Sequence, residues 1–273
     1  MKSEKMQAEV VGQDAALKSR TLASHGCLLI HGYGGSPFEM EGLEAVLRKA
    51  GFAVRNTCLP GHAEEDADFA AKRFHEWLAH VEREYEILAA HCSAVSLVGF
   101  SLGGTLALNL AARRPVFAVV CLATPLYVMS FLPWPIEHLA FYARFIKAQA
   151  HRVLTGTMPD KTASRAIAPW KGYARPLHFT QLLHFRIGCA QTRRLLPRIT
   201  APILVMHDRA DKLVYSGNAT EIIHRVSSPS TTLRLTAIRE TVTKHHMLTT
   251  HQETRGFIES EVERFMREKC LEY

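Results

Sequence analysis

Short, near-continuous apolar runs alternate along this chain with stretches of helical period. Cys27–Ile30, Phe52–Cys58, Ala94–Val98, Val116–Leu122, Pro202–Met206 and Thr231–Leu235 read as strands. Runs that are apolar at nearly every position fit strands buried on both faces, as in a parallel sheet covered by helices. Across Phe74–Ala90, residues Trp77, Leu78, Val81, Tyr85 and Leu88 repeat at the three-and-four spacing of one helix face. Ser36 as N-cap and Pro37 in the first turn mark the start of another helix, which runs to Ala50 and stops at Gly51. Thr105–Arg113, Ala219–Val226 and Glu253–Lys269 read as further helices. Strands alternating with helices predict an α/β fold with a mostly parallel central sheet and helices on both faces. Residues 1–25 are weakly patterned and are expected to hold one or two short edge strands.

The stretch 125–196 breaks this rhythm. It holds helical patches divided by prolines and glycines and no convincing strand. A long excursion between two strands of such a sheet is where a lid sits. The expected division is therefore a core of residues 1–124 and 197–273 with a helical cap, residues 125–196, inserted after the strand at 116–122.

Charge sharpens that division. The chain carries a formal net charge of +7. Between Thr124 and Thr200 there are 11 Lys and Arg against Glu137 and Asp160 alone, so this segment is +9 and the remainder −2. An uneven basic surface of this kind is either a solvated face or one that weakly attracts an anionic membrane surface or anionic substrate.

The remaining composition narrows the classes. At 273 residues the chain can bury one large core. No run of about 18 apolar residues is present, so no membrane span is expected. Met1–Gln13 is polar and charged, without the apolar stretch of a secretory signal. The six cysteines, Cys27, Cys58, Cys92, Cys121, Cys189 and Cys270, share no CxxC spacing and read as reduced thiols, which predicts a cytoplasmic protein. His245, His246 and His251 lie close in sequence but outside any HExxH pattern, so no metal is expected. Nucleic acid is not an expected partner, and the oligomeric state is left open.

The candidate chemistry centres on Val98-Gly99-Phe100-Ser101-Leu102-Gly103-Gly104. An apolar strand leads into this run and a helix leads out of it. A serine on a sharp strand-to-helix turn is a nucleophile elbow, which lifts the hydroxyl clear of the sheet. The turn demands small neighbours, which Gly99 and Gly103 provide, and Gly104 lets the helix pack close. A serine hydroxyl needs a base, and the base an orienting acid. The strand Pro202–Met206 runs into His207-Asp208-Arg209-Ala210-Asp211, which offers Asp208 or Asp211 as the acid. Lys244-His245-His246-Met247 follows the last strand and offers His245 or His246 as the base.

Taken together these residues resemble a serine α/β-hydrolase of the carboxylesterase and monoacylglycerol lipase type, from about Cys27 to Met266. Leu29-Ile30-His31-Gly32-Tyr33-Gly34-Gly35 is similar to the family's oxyanion loop, Leu59-Pro60-Gly61-His62 to its PGHG segment, and Ala123-Thr124-Pro125 to its post-strand motif. Trp77 stands where the family has a helix tryptophan. Pro202–Asp211 is similar to the P-hydrophobic-HGxxD pattern, with Asp208 in place of Gly, and Lys244-His245 replaces the Ser-Gly that precedes the family's histidine. Ala63 replaces the final Gly of PGHG.

The resemblance implies an α/β-hydrolase fold, Ser101 as nucleophile, Asp211 as acid and His246 as base. It also implies the backbone N–H groups of Leu102 and Tyr33 as oxyanion donors, with no cofactor. His31 and His62 are expected to hold loops through ring hydrogen bonds. The implied activity is hydrolysis of small-molecule esters, short-to-medium acyl esters or monoacylglycerols, through an acyl-enzyme. Leu126, Tyr127, Val128, Met129, Phe131, Leu132, Trp134 and Ile136 would line an acyl pocket or pack within the cap. A dehalogenase would carry Asp where Ser101 stands. Acyl thioesterases use the same residues, and a non-catalytic binding protein on this fold is the remaining alternative.

Overall fold

Among the described residues, six strands form one all-parallel sheet: β1 (His25–Ile30), β2 (Ala53–Thr57), β3 (Ala94–Phe100), β4 (Val119–Leu122), β5 (Ile203–Asp208) and β6 (Thr231–Thr236). The computed structural model describes residues 24–62, 66–127, 162–172 and 179–272. The edge strands expected in residues 1–25 lie outside the described residues as far as residue 23. Most of the expected cap does too, including Val128, Met129, Phe131, Leu132, Trp134 and Ile136. No helix among the described residues is long and apolar enough to cross a membrane.

Parallel neighbours need long crossovers, and helices supply them. A 3-10 turn (Pro37–Met40) and α1 (Glu41–Lys49) follow β1; α2 (Asp66–Ala71) and α3 (Phe74–Ala89) follow β2; α4 (Leu102–Ala111) follows β3. α5 (Thr162–Ile167) and α6 (Phe179–Leu195) precede β5, α7 (Gly217–Arg225) lies between β5 and β6, and α8 (Arg255–Leu271) closes the chain. The sheet order is β2–β1–β3–β4–β5–β6. The chain steps outward from β1 to β2 and then back past β1 to β3. The carboxyl ends of β1 and β3 therefore flank a topological switch point, where ligands bind in sheets of this kind.

The strand period of two explains the apolar runs. Leu28, Ile30, Leu97, Ile203 and Val205 face one core, shared with Trp77 of α3, Leu106 of α4 and Ile222 of α7. Their strand neighbours Cys27, Leu29, Val98, Phe100, Leu204 and Met206 face a second core, filled by Leu43 and Leu47 of α1 and Ile258, Val262 and Phe265 of α8. With both faces dry, no polar alternation survives in β1, β3 or β5.

Several local expectations need correction. Ser36 is extended at the helix start, but its hydroxyl makes no capping bond; its carbonyl instead accepts Glu39 N–H in a 3-10 turn, and the α-helix begins only at Glu41. The strand expected from Val116 is regular only from Val119, although Phe117 N–H already bonds Val95 O. Within 125–196 the regular elements among the described residues are helices, and α6 is a long helix rather than a short patch. It lies against α3 and α4, with Phe185 and Cys189 in the first core. Leu126 is buried in that core too, and Tyr127 packs against the Arg193 guanidinium, 4.3 Å from its ring centroid. No disulfide joins the six cysteines.

A Cβ at Gly103 would collide with the backbone carbonyl of Ile30 at the end of β1, whereas a Cβ at Gly256, in the first turn of α8, would meet nothing. Gly103→Ala should therefore prevent accumulation of folded protein. Gly256→Ala should raise stability by up to about 1 kcal/mol. Denaturant titration of the pair checks both.

Candidate active site

Ser101 stands at the end of β3, at the switch point. Its backbone adopts φ 52° and ψ −118°, in the left-handed region that costs a residue with a side chain about 1–3 kcal/mol. The surroundings hold it there. Ser101 N–H extends the β3–β4 ladder by bonding Leu122 O at 2.8 Å, while its carbonyl accepts Gly104 N–H at 3.0 Å and starts α4. A Cβ at Gly99 would strike the backbone of Gly103 and Gly104, and one at Gly104 the Thr124 hydroxyl. Each glycine is thus required by a different neighbour.

Three elements deliver polar side chains to this point. Ser101 Oγ–H donates to His246 Nε2 at 3.0 Å, and His246 Nδ1–H donates to Asp211 Oδ2 at 2.7 Å. The carboxylate only accepts, so its contact fixes the tautomer and leaves Nε2 free to take the serine proton. Asp211 is held in turn: Oδ1 accepts Leu213 N–H at 2.8 Å and Val214 N–H at 2.9 Å, and His207 Nε2 lies 3.3 Å from Oδ2. Burial pushes the Asp211 carboxyl up. The His246 charge and the hydrogen bonds from His207 and His246 outweigh it and hold the group well below the usual carboxylate range. Ionised Asp211 therefore stabilises the fold at any pH above its unfolded value of about 4, and that contribution is lost only in strong acid.

The alternatives within each pair separate by geometry. Asp208 faces inward, fully buried, and accepts Ala210 N–H at 2.9 Å, Thr236 Oγ1–H at 2.8 Å and Ile238 N–H at 2.8 Å, so its oxygens tie the ends of β5 and β6 together. His245 points away from Ser101. Its Nε2–H donates to Glu240 O at 2.6 Å, and its Nδ1 sits 3.7 Å from Asp208 Oδ1. His245 has φ 56°, so a histidine occupies a backbone position that favours glycine.

The loop after β1 forms the other wall. Gly32 N–H bonds Glu39 Oε2 at 2.9 Å, Gly34 N–H bonds His62 Nε2 at 3.1 Å and Gly35 N–H bonds Gly32 O at 3.1 Å. The N–H of Tyr33, between them, has no hydrogen-bond acceptor among the described residues. Leu102 N–H belongs to the first turn of α4, where helix donors lack intrahelical partners. The Tyr33 side chain turns away, stacking on Phe185 with ring centroids 6.0 Å apart and donating its hydroxyl to Gln181 Oε1 at 2.9 Å.

His31 and His62 pin this loop to the one after β2. His31 Nδ1–H donates to Gly32 O at 2.9 Å and its Nε2 accepts Leu59 N–H at 3.0 Å. His62 Nδ1–H donates to Pro60 O at 3.3 Å, and Pro60 O also accepts the Trp77 indole N–H at 3.0 Å. Each ring uses one nitrogen to donate and one to accept, which only the neutral form can do. Burial depresses the His31 imidazole to about 3, helped by nearby His62, and burial depresses His62 to about 4.

Sequence patterning alone did not reveal Glu39, His207 or Glu240, whose carboxylate receives His251 Nε2 at 3.1 Å and organises the loop before His245. The one available signal was Glu39 itself, an acidic residue between the apolar Phe38 and Met40. Among the described residues no group of three or more His, Cys, Asp or Glu is placed to hold a metal ion.

Comparison with known proteins places these features in context. A family model described as the alpha/beta hydrolase family matches residues 27–253. A thermostable monoacylglycerol lipase of Bacillus sp. (strain H-257) is 30% identical over 208 residues, covering 74% of this chain and 77% of that protein. In fold, the chain is similar to a structure from work on LipS and LipT, two metagenome-derived lipolytic enzymes, with TM-score 0.71, 22% identity and coverage of 89% and 94% of the two chains. It is similar also to the Paleococcus ferrophilus monoacylglycerol lipase, with TM-score 0.68, 17% identity and coverage of 89% and 94%.

The neutral histidines make the fold acid-sensitive. Between about pH 6.5 and pH 4 the unfolded chain protonates His31 and His62 while the folded chain does not, so stability falls as pH drops, by at most about 1.4 kcal/mol per pH unit per histidine. Glu39, raised by burial to about 7, opposes this over the same range, one carboxyl against two imidazoles. Denaturation midpoints measured across that range should decline with acid, and His62→Gln should flatten the decline.

Proposed function

Because the chain belongs to the alpha/beta hydrolase family, we propose that it is a serine carboxylic-ester hydrolase working through Ser101, His246 and Asp211. The observation that supports this most is the unbroken hydrogen-bond chain from the Asp211 carboxylate through His246 to Ser101 Oγ, ending on a strained elbow. His246 Nε2 takes the hydroxyl proton as Ser101 Oγ bonds to the ester carbonyl carbon. The carbonyl π pair moves onto oxygen, and that oxyanion is received by Leu102 N–H and Tyr33 N–H; losing one such donor typically costs about 3 kcal/mol of transition-state stabilisation. The tetrahedral species collapses, the C–O bond to the alcohol breaks, and His246 returns the proton to the leaving oxygen. Water then repeats the sequence on the acyl-enzyme and releases the acid. Asp211 keeps the ring oriented and favours the imidazolium.

Short-to-medium acyl esters or monoacylglycerols are the proposed substrates, with residues 125–196 as the cap that selects the chain. Each buried CH₂ of the acyl group contributes about 0.8 kcal/mol against an apolar wall. The likeness to a monoacylglycerol lipase favours this over the thioesterase alternative.

A fluorophosphonate probe should label the wild-type protein at Ser101. Ser101→Ala should abolish labelling, and both Ser101→Ala and Asp211→Asn should lower ester turnover by about 10⁴-fold. Asp208→Asn would turn an amide N–H towards donors it now accepts, so it should melt several degrees lower yet keep its turnover per labelled site. His245→Ala should likewise keep most turnover. A folded wild-type protein that resists the probe would instead mark a binding protein. Acyl-CoAs turned over faster than p-nitrophenyl esters and monoacylglycerols would favour the thioesterase.

The +9 charge of residues 124–200 supports weak attraction of anionic interfaces. Such attraction is screened over about 8 Å at physiological ionic strength. Turnover on anionic vesicles should fall with salt more steeply than turnover on a neutral soluble ester. Equal salt dependence would mark a merely solvated face.

A further inference from the structure

The carboxyl of Glu39 has no part in the mechanism above, yet it is 2% exposed and lies directly behind the loop that carries Tyr33. Oε2 accepts Gly32 N–H at 2.9 Å and Oε1 accepts the Trp170 indole N–H at 2.7 Å. It is tucked so closely beneath the loop that a Cβ at Gly35 would run into it. A buried carboxyl without a salt-bridge partner is costly, and a neutral side chain of the same shape would fill the space at less cost. What a neutral group could not do is accept on both sides. Each oxygen accepts one N–H donor; ionised, both accept in full, whereas protonation makes one oxygen an O–H donor and weakens its acceptance.

The two donors belong to different parts of the site. Gly32 and Gly34 flank Tyr33, so Glu39 on one side and His62 on the other clamp the peptide whose N–H is the proposed second oxyanion donor. Trp170 belongs to the segment 162–172, which is also fastened to the loop beyond His246: Gln252 N–H bonds Ile167 O at 3.0 Å and Gln252 Nε2–H bonds Ala166 O at 2.9 Å. A side chain at Gly172 would strike Gly34 O, so this segment and the Tyr33 loop are in direct contact.

We propose that Glu39 is a positioning residue for the oxyanion step: ionised, it aims the Tyr33 N–H through Gly32 and, through Trp170, ties the segment 162–172 to the loop that carries this donor. The proposal rests on the serine-hydrolase reading. Its charged surroundings are few. His246 attracts the ionised carboxyl electrostatically, His62 is neutral, the Lys171 ammonium lies 4.4 Å from the Phe38 ring centroid, and the Arg165 guanidinium lies 5.6 Å from that of Trp170. Burial raises the carboxyl to about 7, against the pull of Gly32 N–H, Trp170 and His246. On the acid side, protonation of Glu39 should therefore contribute to the loss of activity.

Glu39→Gln keeps the shape and removes the charge. In purified protein with a native melting transition and active sites counted by fluorophosphonate, its plateau kcat on p-nitrophenyl butyrate should fall about 10- to 100-fold with KM within about threefold, as expected when a donor is misplaced rather than a pocket lost. Its acid limb between about pH 5 and 8 should be shallower than that of the wild type by one proton. Trp170→Phe removes the indole donor and with it the tie to segment 162–172, which raises the Glu39 carboxyl further and should move the acid limb to higher pH with a lowered plateau. A wild-type plateau and a wild-type acid limb in Glu39→Gln would overturn the assignment. If that variant does not fold, an unmoved limb in Trp170→Phe overturns it alone. A wild-type protein that neither takes the probe nor cleaves esters would overturn the hydrolase reading, and the role of Glu39 with it. An effect of Glu39→Gln on melting temperature alone would make Glu39 a packing residue and sink the proposal.

Discussion

The turn from β3 into α4 passes so close to the end of β1 that no side chain fits at Gly103, and it folds on itself so tightly that none fits at Gly99. Most of the candidate site depends on that approach. It brings the Ser101 hydroxyl, the first N–H of α4 and the loop after β1 into one small volume. It also forces Ser101 into a conformation it would not otherwise adopt, and the ladder bond to Leu122 together with two dry cores overcomes the strain. The strain is local, about 1–3 kcal/mol, while each well-buried aliphatic side chain around it contributes about 1.5–3 kcal/mol.

Around this turn the protein uses polar groups in two distinct ways. His31 and His62 act as neutral staples, each with one donor and one acceptor, and they join loops that share no secondary structure. Asp211 and Asp208 act as anions saturated by N–H and O–H donors. Asp211 keeps one oxygen for His246, whereas Asp208 spends both on the fold. A buried ion is tolerated where its hydrogen bonds are complete.

Much of this was legible in the sequence, for identifiable reasons. β1, β3 and β5 declare themselves because both faces are buried, and α3 because one face only is. The elbow declares itself because the serine and the glycines of its turn sit together in one short run between an apolar strand and a helix, although the contacts that require Gly103 and Gly104 come from Ile30 and Thr124. The acid and base were less legible. Asp208 and Asp211 are three residues apart in one loop, and His245 and His246 are adjacent. In three dimensions Asp208 is engaged by Thr236 and Ile238 and His245 by Glu240, while Asp211 and His246 meet at Ser101. The family resemblance singled out Asp211 and His246, the pair that the structure brings into one hydrogen-bond chain with Ser101. Glu39 was hard to read because its meaning lies in a contact with Trp170, far along the chain, and His207 because nothing in the residues themselves says that its ring reaches Asp211 four positions on. Ser36 misled for the opposite reason: its residue type suits a cap, but the 3-10 turn that follows places the bond on its carbonyl.

Phe100 belongs to the second core, wedged between the sheet and the helices α1 and α8, and its ring also lies 5.2 Å from that of His246. One side chain thus serves as a core member and as the floor on which the imidazole rests. At most core positions a smaller residue weakens the protein while leaving the surviving folded molecules fully competent. At Phe100 the two effects cannot be separated, because the void left beneath the sheet is also slack beneath the base. A substitution in the second core should therefore disturb the imidazole less the farther it lies from this ring.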